Sequence, residues 1–187
     1  KDKKKLKGIP KDVIEKAKND AKIQKKTGWS FGLDFPSYLP LMQYADNREL
    51  RREIYYAYAT KASDLSDKTT DNTKNIDNIL LNKKKLSNLL NFPNYASMAL
   101  ETKMANSSDE VIKFLEDLAS KAKSFAEKDM SDIAEYGYKF DIKNIEAWDI
   151  AYLSEKLKED RFNYSDQEIK NYFPASKVIE GLFKVVK

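Results

Sequence analysis

From Val111 to Tyr136 the apolar residues recur at spacings of three and four: Val111, Leu115, Leu118, Ala122, Phe125, Ile133 and Tyr136. Side chains of an α-helix return to one face every 3.6 residues, whereas those of a strand alternate at every residue. A stripe with this period can therefore lie on one side of a helix and has no counterpart in a sheet. Asp129, flanked by Met130, interrupts it once. Ser107-Ser108-Asp109-Glu110 stands in front as an S-x-x-E cap. The spacing predicts one helix reaching about Tyr138, about 45 Å long at 1.5 Å per residue. A coiled coil is the rival arrangement, but the polar break and the mixture of small and aromatic residues favour packing inside a larger bundle.

The same period runs through most of the chain. Pro10 opens a helix carrying Val13, Ile14 and Ala17, which Thr27-Gly28 ends. Asp34-Phe35-Pro36-Ser37 begins a second, through Leu41 and Tyr44, and Asp46-Asn47-Arg48-Glu49 has the form of a capping box for a third with Leu50, Ile54, Tyr55 and Tyr58. Residues 63–73 read as a loop, followed by a helix over about 71–91 and a shorter one carrying Tyr95 and Met98. After a turn at 137–144, helices are expected over about 145–160, after the cap at Ser165, and from Pro174 or Ala175 to the end. Only Trp29, Phe31 and Leu33 alternate with polar or small residues, so one short strand is expected near residues 29–34. With 5 Gly and 5 Pro, turns are too few for a β-sandwich or barrel. The expected fold is an all-α, multi-helix domain spanning 1–187, with at most that one strand or hairpin.

Composition removes whole classes of chemistry. The chain has no His and no Cys, which excludes Ser-His-Asp and Cys-His catalysis, the HExxH zinc helix, zinc knots and disulfides. No apolar run approaches the ~20 residues of a membrane span, and no apolar core follows the charged start KDKKKLKGIP, so neither a signal peptide nor a membrane partner is expected. The chain begins without Met and stops on GLFKVVK; both ends are expected to be cuts from a longer chain. The formal net charge of +4 is local: residues 1–26 hold 11 Lys against 4 acids, and the remainder is slightly acidic. The basic residues include only four arginines (Arg48, Arg51, Arg52 and Arg161). A nucleic-acid binder would favour arginine forks on a folded face, so no nucleic-acid partner is expected.

Local motifs have bland readings. Ser120-Lys121-Ala122-Lys123 matches S-x-x-K, but among 30 Lys a chance match is expected and no companion motif accompanies it. Glu155, Glu159 and Asp160 could bind a hard cation, yet they alternate with Lys156 and Lys158 as a solvated helix network does. Asn106 and Asn163 stand in glycosylation sequons and read better as helix-cap positions. The 11 Tyr and 9 Phe cluster at 31–44, 55–58 and 164–173, where core packing outweighs ligand contact for any single ring.

Four collinear strings carry a resemblance: LDFPSYLPLMQYADNRELRREIYYAYATKAS (33–63), DNTKNIDNILLNKKKLSNLLNFPNYASMALETKMA (71–105), WDIAYLSEK (148–156) and YFPASKVIEGLF (172–183). Together they resemble the oligopeptidase A branch of the thimet oligopeptidase family of zinc metallopeptidases. The resemblance implies a neurolysin-like, all-α architecture and a cytoplasmic enzyme that cleaves short peptides inside a deep channel. In the family, zinc is held by two His of HExxH and a downstream Glu, with the HExxH Glu as general base. A chain without His cannot hold that motif, so no catalytic, cofactor-binding or metal residue carries over. The resemblance implies a helical channel-wall fragment upstream of the catalytic segment, with short peptides and the remaining catalytic domain of the same chain as partners, and zinc only in the parent enzyme. Tyr152, Tyr164, Tyr172 and Phe173 are the substrate-side candidates, chosen on residue type. Cutting a domain from a larger helical body would leave an apolar patch, so self-association is also expected. The alternative is a non-enzymatic helical module that grasps peptides or a protein.

Overall fold

The computed structural model describes residues 3–187, and among them there are helices and no strand. The α-helices are α1 (Lys11–Ile23), α2 (Phe35–Tyr44), α3 (Arg48–Ala59), α4 (Thr73–Leu89), α5 (Tyr95–Leu100), α6 (Ser108–Gly137), α7 (Ala147–Phe162), α8 (Asp166–Ile169) and α9 (Ala175–Val186). The chain divides into two units: one built from the segments up to Ala59 and from Asp132 onward, the other from Thr60–Ser131.

In the first unit α2, α3 and α7 pack on one another. Each start is set by a side chain that satisfies a free helix-end N–H. Asp34 accepts from the Ser37 N–H at 3.2 Å and from its hydroxyl at 2.9 Å. Asn47 accepts from the Leu50 N–H at 2.8 Å. The cap of α3 thus lies one residue after the expected Asp46, whose carboxylate instead accepts from the Tyr152 hydroxyl at 3.1 Å. Asp149 accepts from the Glu146 N–H at 3.1 Å and closes the first turn of α7.

Two apolar clusters fill this unit. Ile9, Leu41 and Ala45 are buried against Val13, Phe31, Leu50 and Ile54. Ile133, Ile142, Tyr152 and Leu153 are buried against Ile145, Ile150 and Leu157. The strand expected near 29–34 does not form. A strand needs a partner for its ladder, and no other described segment is extended beside it. The Ser30 N–H donates instead to the Ala17 carbonyl at 2.9 Å, and Phe31 drops into the first cluster. Gly8 ties the N-terminal segment down: at φ 86° a Cβ there would lie 2.1 Å from the Tyr44 carbonyl oxygen, so only glycine permits this approach.

The second unit holds α4, α5 and the first part of α6. Asn91 ends α4 in the left-handed region, where the Phe92 N–H donates to the Ser87 carbonyl at 2.9 Å. The Ser107 hydroxyl accepts from the Glu110 N–H at 3.1 Å, as the S-x-x-E spacing predicts, while the Glu110 carboxylate accepts from the Asn106 N–H at 2.8 Å. Every buried apolar side chain of the described residues belongs to the first unit; in the second, Ser87 alone is buried.

Candidate functional site

The most constrained polar group of the first unit lies between α3 and α7. Arg51, 1% exposed, donates to the Asp149 carboxylate at 2.8 Å, to the Ala45 carbonyl at 2.8 Å and to the Trp148 carbonyl at 3.1 Å. Its guanidinium lies 4.1 Å from the Tyr152 ring centre. Arg48 reaches the same carboxylate from the outside at 2.7 Å and the Asn144 carbonyl at 2.8 Å. Burial alone would raise the Asp149 pKa, but hydrogen bonds from Arg48 and Arg51 outweigh it and hold the carboxyl below the usual range. Three charged groups interlock here, and the Asp149 carboxylate accepts from Arg48, Arg51 and the Glu146 N–H, so the cluster ties α3 to the start of α7.

A second network runs from α2 to the end of α7. The Tyr44 hydroxyl donates to Glu155 at 3.1 Å, and Lys158 bridges Glu155 at 2.9 Å and Asp166 at 2.8 Å. Burial, and then the Glu155 charge, push the Tyr44 phenol up to about 12. Burial would lower the Lys158 pKa, but Asp166 and Glu155 outweigh it and raise it. Over this network opens a cleft of about 920 Å³. Its lining includes Gly8, Pro10, Tyr44, Lys156, Glu159, Phe173 and Pro174. Lys170 and Asp12, both in the lining, form an ion pair.

The four sequence-chosen aromatics separate. Phe173 lies on the wall of this cleft and Tyr172 beside it in the chain, 64% and 76% exposed. Tyr164 packs at 6.3 Å from the Phe162 ring and is partly exposed. Tyr152 is set into the core, 5% exposed, between Arg51 and Phe140, so a ligand cannot reach its ring. The aromatic cluster noted at 55–58 gains a partner on α7 that the sequence did not single out, Trp148. Tyr55 and Tyr56 stand 5.9 and 5.7 Å from the Trp148 ring, with Arg52 over Tyr56. The i, i+1 pair at the end of α3 was visible in the sequence, but its convergence on Trp148 depends on tertiary packing.

The remaining motifs are engaged locally. The Ser120 hydroxyl donates to the Asp117 carbonyl at 2.9 Å and Lys123 faces Glu127 at 3.9 Å, both on an exposed helix face. Glu159 pairs with Lys156 at 2.9 Å and Asp160 with Lys139 at 2.9 Å. Asn163 ends α7 in the left-handed region. A zinc ion does not fit this donor set: there is no His or Cys, and no three carboxylates converge among the described residues. None of the described helices is long and apolar enough to cross a membrane.

The family model described as Peptidase family M3 matches residues 41–187. Oligopeptidase A of Escherichia coli is 41% identical over 185 residues, covering 97% of this chain and 27% of that protein. The organellar oligopeptidase A of Arabidopsis thaliana, described as chloroplastic/mitochondrial, is 34% identical, covering all of this chain and 24% of its own length. Saccharolysin of Saccharomyces cerevisiae is 26% identical over 98% of this chain and 26% of its length. The chain therefore spans about a quarter of the length of these relatives.

Proposed function

Since the chain belongs to peptidase family M3, we propose that it is the helical scaffold of a zinc-dependent oligopeptidase acting on short peptides, and that it forms channel wall without holding the metal. The observation that carries this reading is the match along nearly the whole chain to oligopeptidase A, joined to a donor set that suits no zinc site. The zinc ligands and the general base then come from the remaining catalytic domain of the same polypeptide. The enzyme acts in the cytoplasm, and neither a nucleic acid nor a membrane takes part. Water exclusion and a shaped cavity are the protein's share of metal catalysis, and those are what interlocked helices provide. Tyr164, Tyr172 and Phe173 are the proposed peptide contacts, because they are exposed and Phe173 lines the cleft. The test is hydrolysis of a quenched fluorescent peptide by the 187-residue chain with added zinc. No turnover is expected, and turnover abolished by a chelator would overturn the assignment.

We further propose that the chain self-associates when isolated. In α9, Val178, Ile179, Leu182 and Phe183 recur at helical spacing and all are exposed. Sedimentation velocity is expected to show a species larger than the monomer at high concentration; a clean monomer throughout would count against it.

A further inference from the structure

Several lysines of the first unit are held in ion pairs. Lys5, Lys7, Lys16, Lys139, Lys156, Lys158 and Lys170 each lie within ion-pair distance of a carboxylate. Lys18, Lys22, Lys25 and Lys26 are exposed and carry no such pair among the described residues, as is also true of Lys3, Lys11, Lys143, Lys177, Lys184 and Lys187, but these four line one recess of about 650 Å³ at the end of α1. The backbone gathers them. Lys18 and Lys22 lie one turn apart on α1; Lys25 then takes φ 55°, and the Lys26 N–H donates back to the Ala21 carbonyl at 2.8 Å. The chain folds over the helix end and Gly28 closes the recess at φ 101°. Glu15 is the only acid in its lining.

Lysines in the last turn complement the helix dipole, which accounts for Lys22 and the two that follow. Lys18 lies mid-helix and gains nothing from that effect. Like charges at i, i+4 on a helix, as at Lys18–Lys22, are mutually destabilising, and an anionic occupant would relieve them. We propose that this recess binds acidic peptide segments, with Asn19 available to a peptide amide. The lining has neither the arginine forks nor the aromatic faces on which nucleic acids are held, and it is concave where a lipid surface is flat. Its volume is that of a small-ligand site, enough for a few residues carrying adjacent carboxylates. The proposal concerns binding alone, so peptide capture without turnover would uphold it even if the metallopeptidase reading failed.

The test is fluorescence anisotropy of a labelled glutamate-rich decapeptide with the full 187-residue chain at low salt. The acidic probe is expected to bind more tightly than a lysine-rich one and to weaken as salt rises, because the recess is solvated. Changing Lys18, Lys22, Lys25 and Lys26 together to Glu is expected to weaken it roughly tenfold or more, while the same change at Lys68, Lys74, Lys84 and Lys85, which alters net charge equally, costs about twofold or less. Circular dichroism verifies that both variants stay helical. Equal loss in the two variants would reduce the effect to net charge and overturn the site. So would absence of binding, or single-stranded DNA or phosphatidylserine vesicles binding at lower concentration than the peptide.

Discussion

Two ion pairs of the first unit show how burial decides what a charge contributes. Arg52 and Glu49 meet at 3.0 Å but are half exposed; pairs of that kind contribute about 0–1 kcal/mol. Arg51 and Asp149 meet at 2.8 Å and are about 1% and 0% exposed. Removing one partner there leaves an uncompensated buried charge. Asp149→Ala is expected to destabilise the chain by about 3–5 kcal/mol and Glu49→Ala by under about 1 kcal/mol, read from urea unfolding midpoints; equal effects would refute the distinction. Tyrosines give the pH counterpart. Tyr44 is pushed up to about 12 by burial and by Glu155, and Tyr152 up to about 12 by burial and by Asp46. In the unfolded chain both ionise near 10. Folding therefore favours the neutral phenols: their contribution is complete below pH ~10 and falls away as pH rises toward about 12. Alkaline unfolding should begin in that window and be shallower in Tyr44→Phe. Titration of all tyrosines near 10 in the folded protein, read by ultraviolet absorbance, would contradict it.

At the scale of helices, burial is uneven. α7 buries Asp149, Tyr152, Leu153 and Glu155, whereas α4 buries only Ser87 and leaves Ile76, Ile79 and Leu80 exposed. Local opening costs least where few apolar contacts are lost. Amides of α4 should therefore exchange with solvent at least roughly tenfold faster than those of α7; hydrogen-exchange mass spectrometry checks this, and equal protection would refute it. Helix positions were legible in the sequence because caps and periodicity are local: Asp34, Ser107 and Ser165 cap where the spacing places them. The strand near 29–34 was misread because alternation alone does not supply a pairing partner, and Asp46 because Asn47 was equally able to cap. The site was less legible still. Nothing local marks Tyr152 as buried and Phe173 as exposed, since both stand on helical or near-helical stretches of mixed polarity. What separates them is contact with α3, about a hundred positions earlier in the chain.

The whole molecule is discontinuous: one unit takes residues from both ends of the chain, and the other is the stretch between them. This topology explains why the basic start and the acidic remainder do not act as separate bodies, since Lys7 pairs with Asp46 and Lys170 with Asp12 inside one unit. It also sets a schedule. The Arg51 guanidinium and the Asp149 carboxylate that neutralises it are 98 positions apart. A ribosome adding about 5–20 residues per second needs about 5–20 s to cover that distance. For that interval α2 and α3 exist with a charged group destined for the interior and nothing to receive it, so the first unit cannot close until α7 has left the exit tunnel. The expected consequence is a nascent chain that carries this charge unneutralised through the interval, with the first unit completed only by its later half.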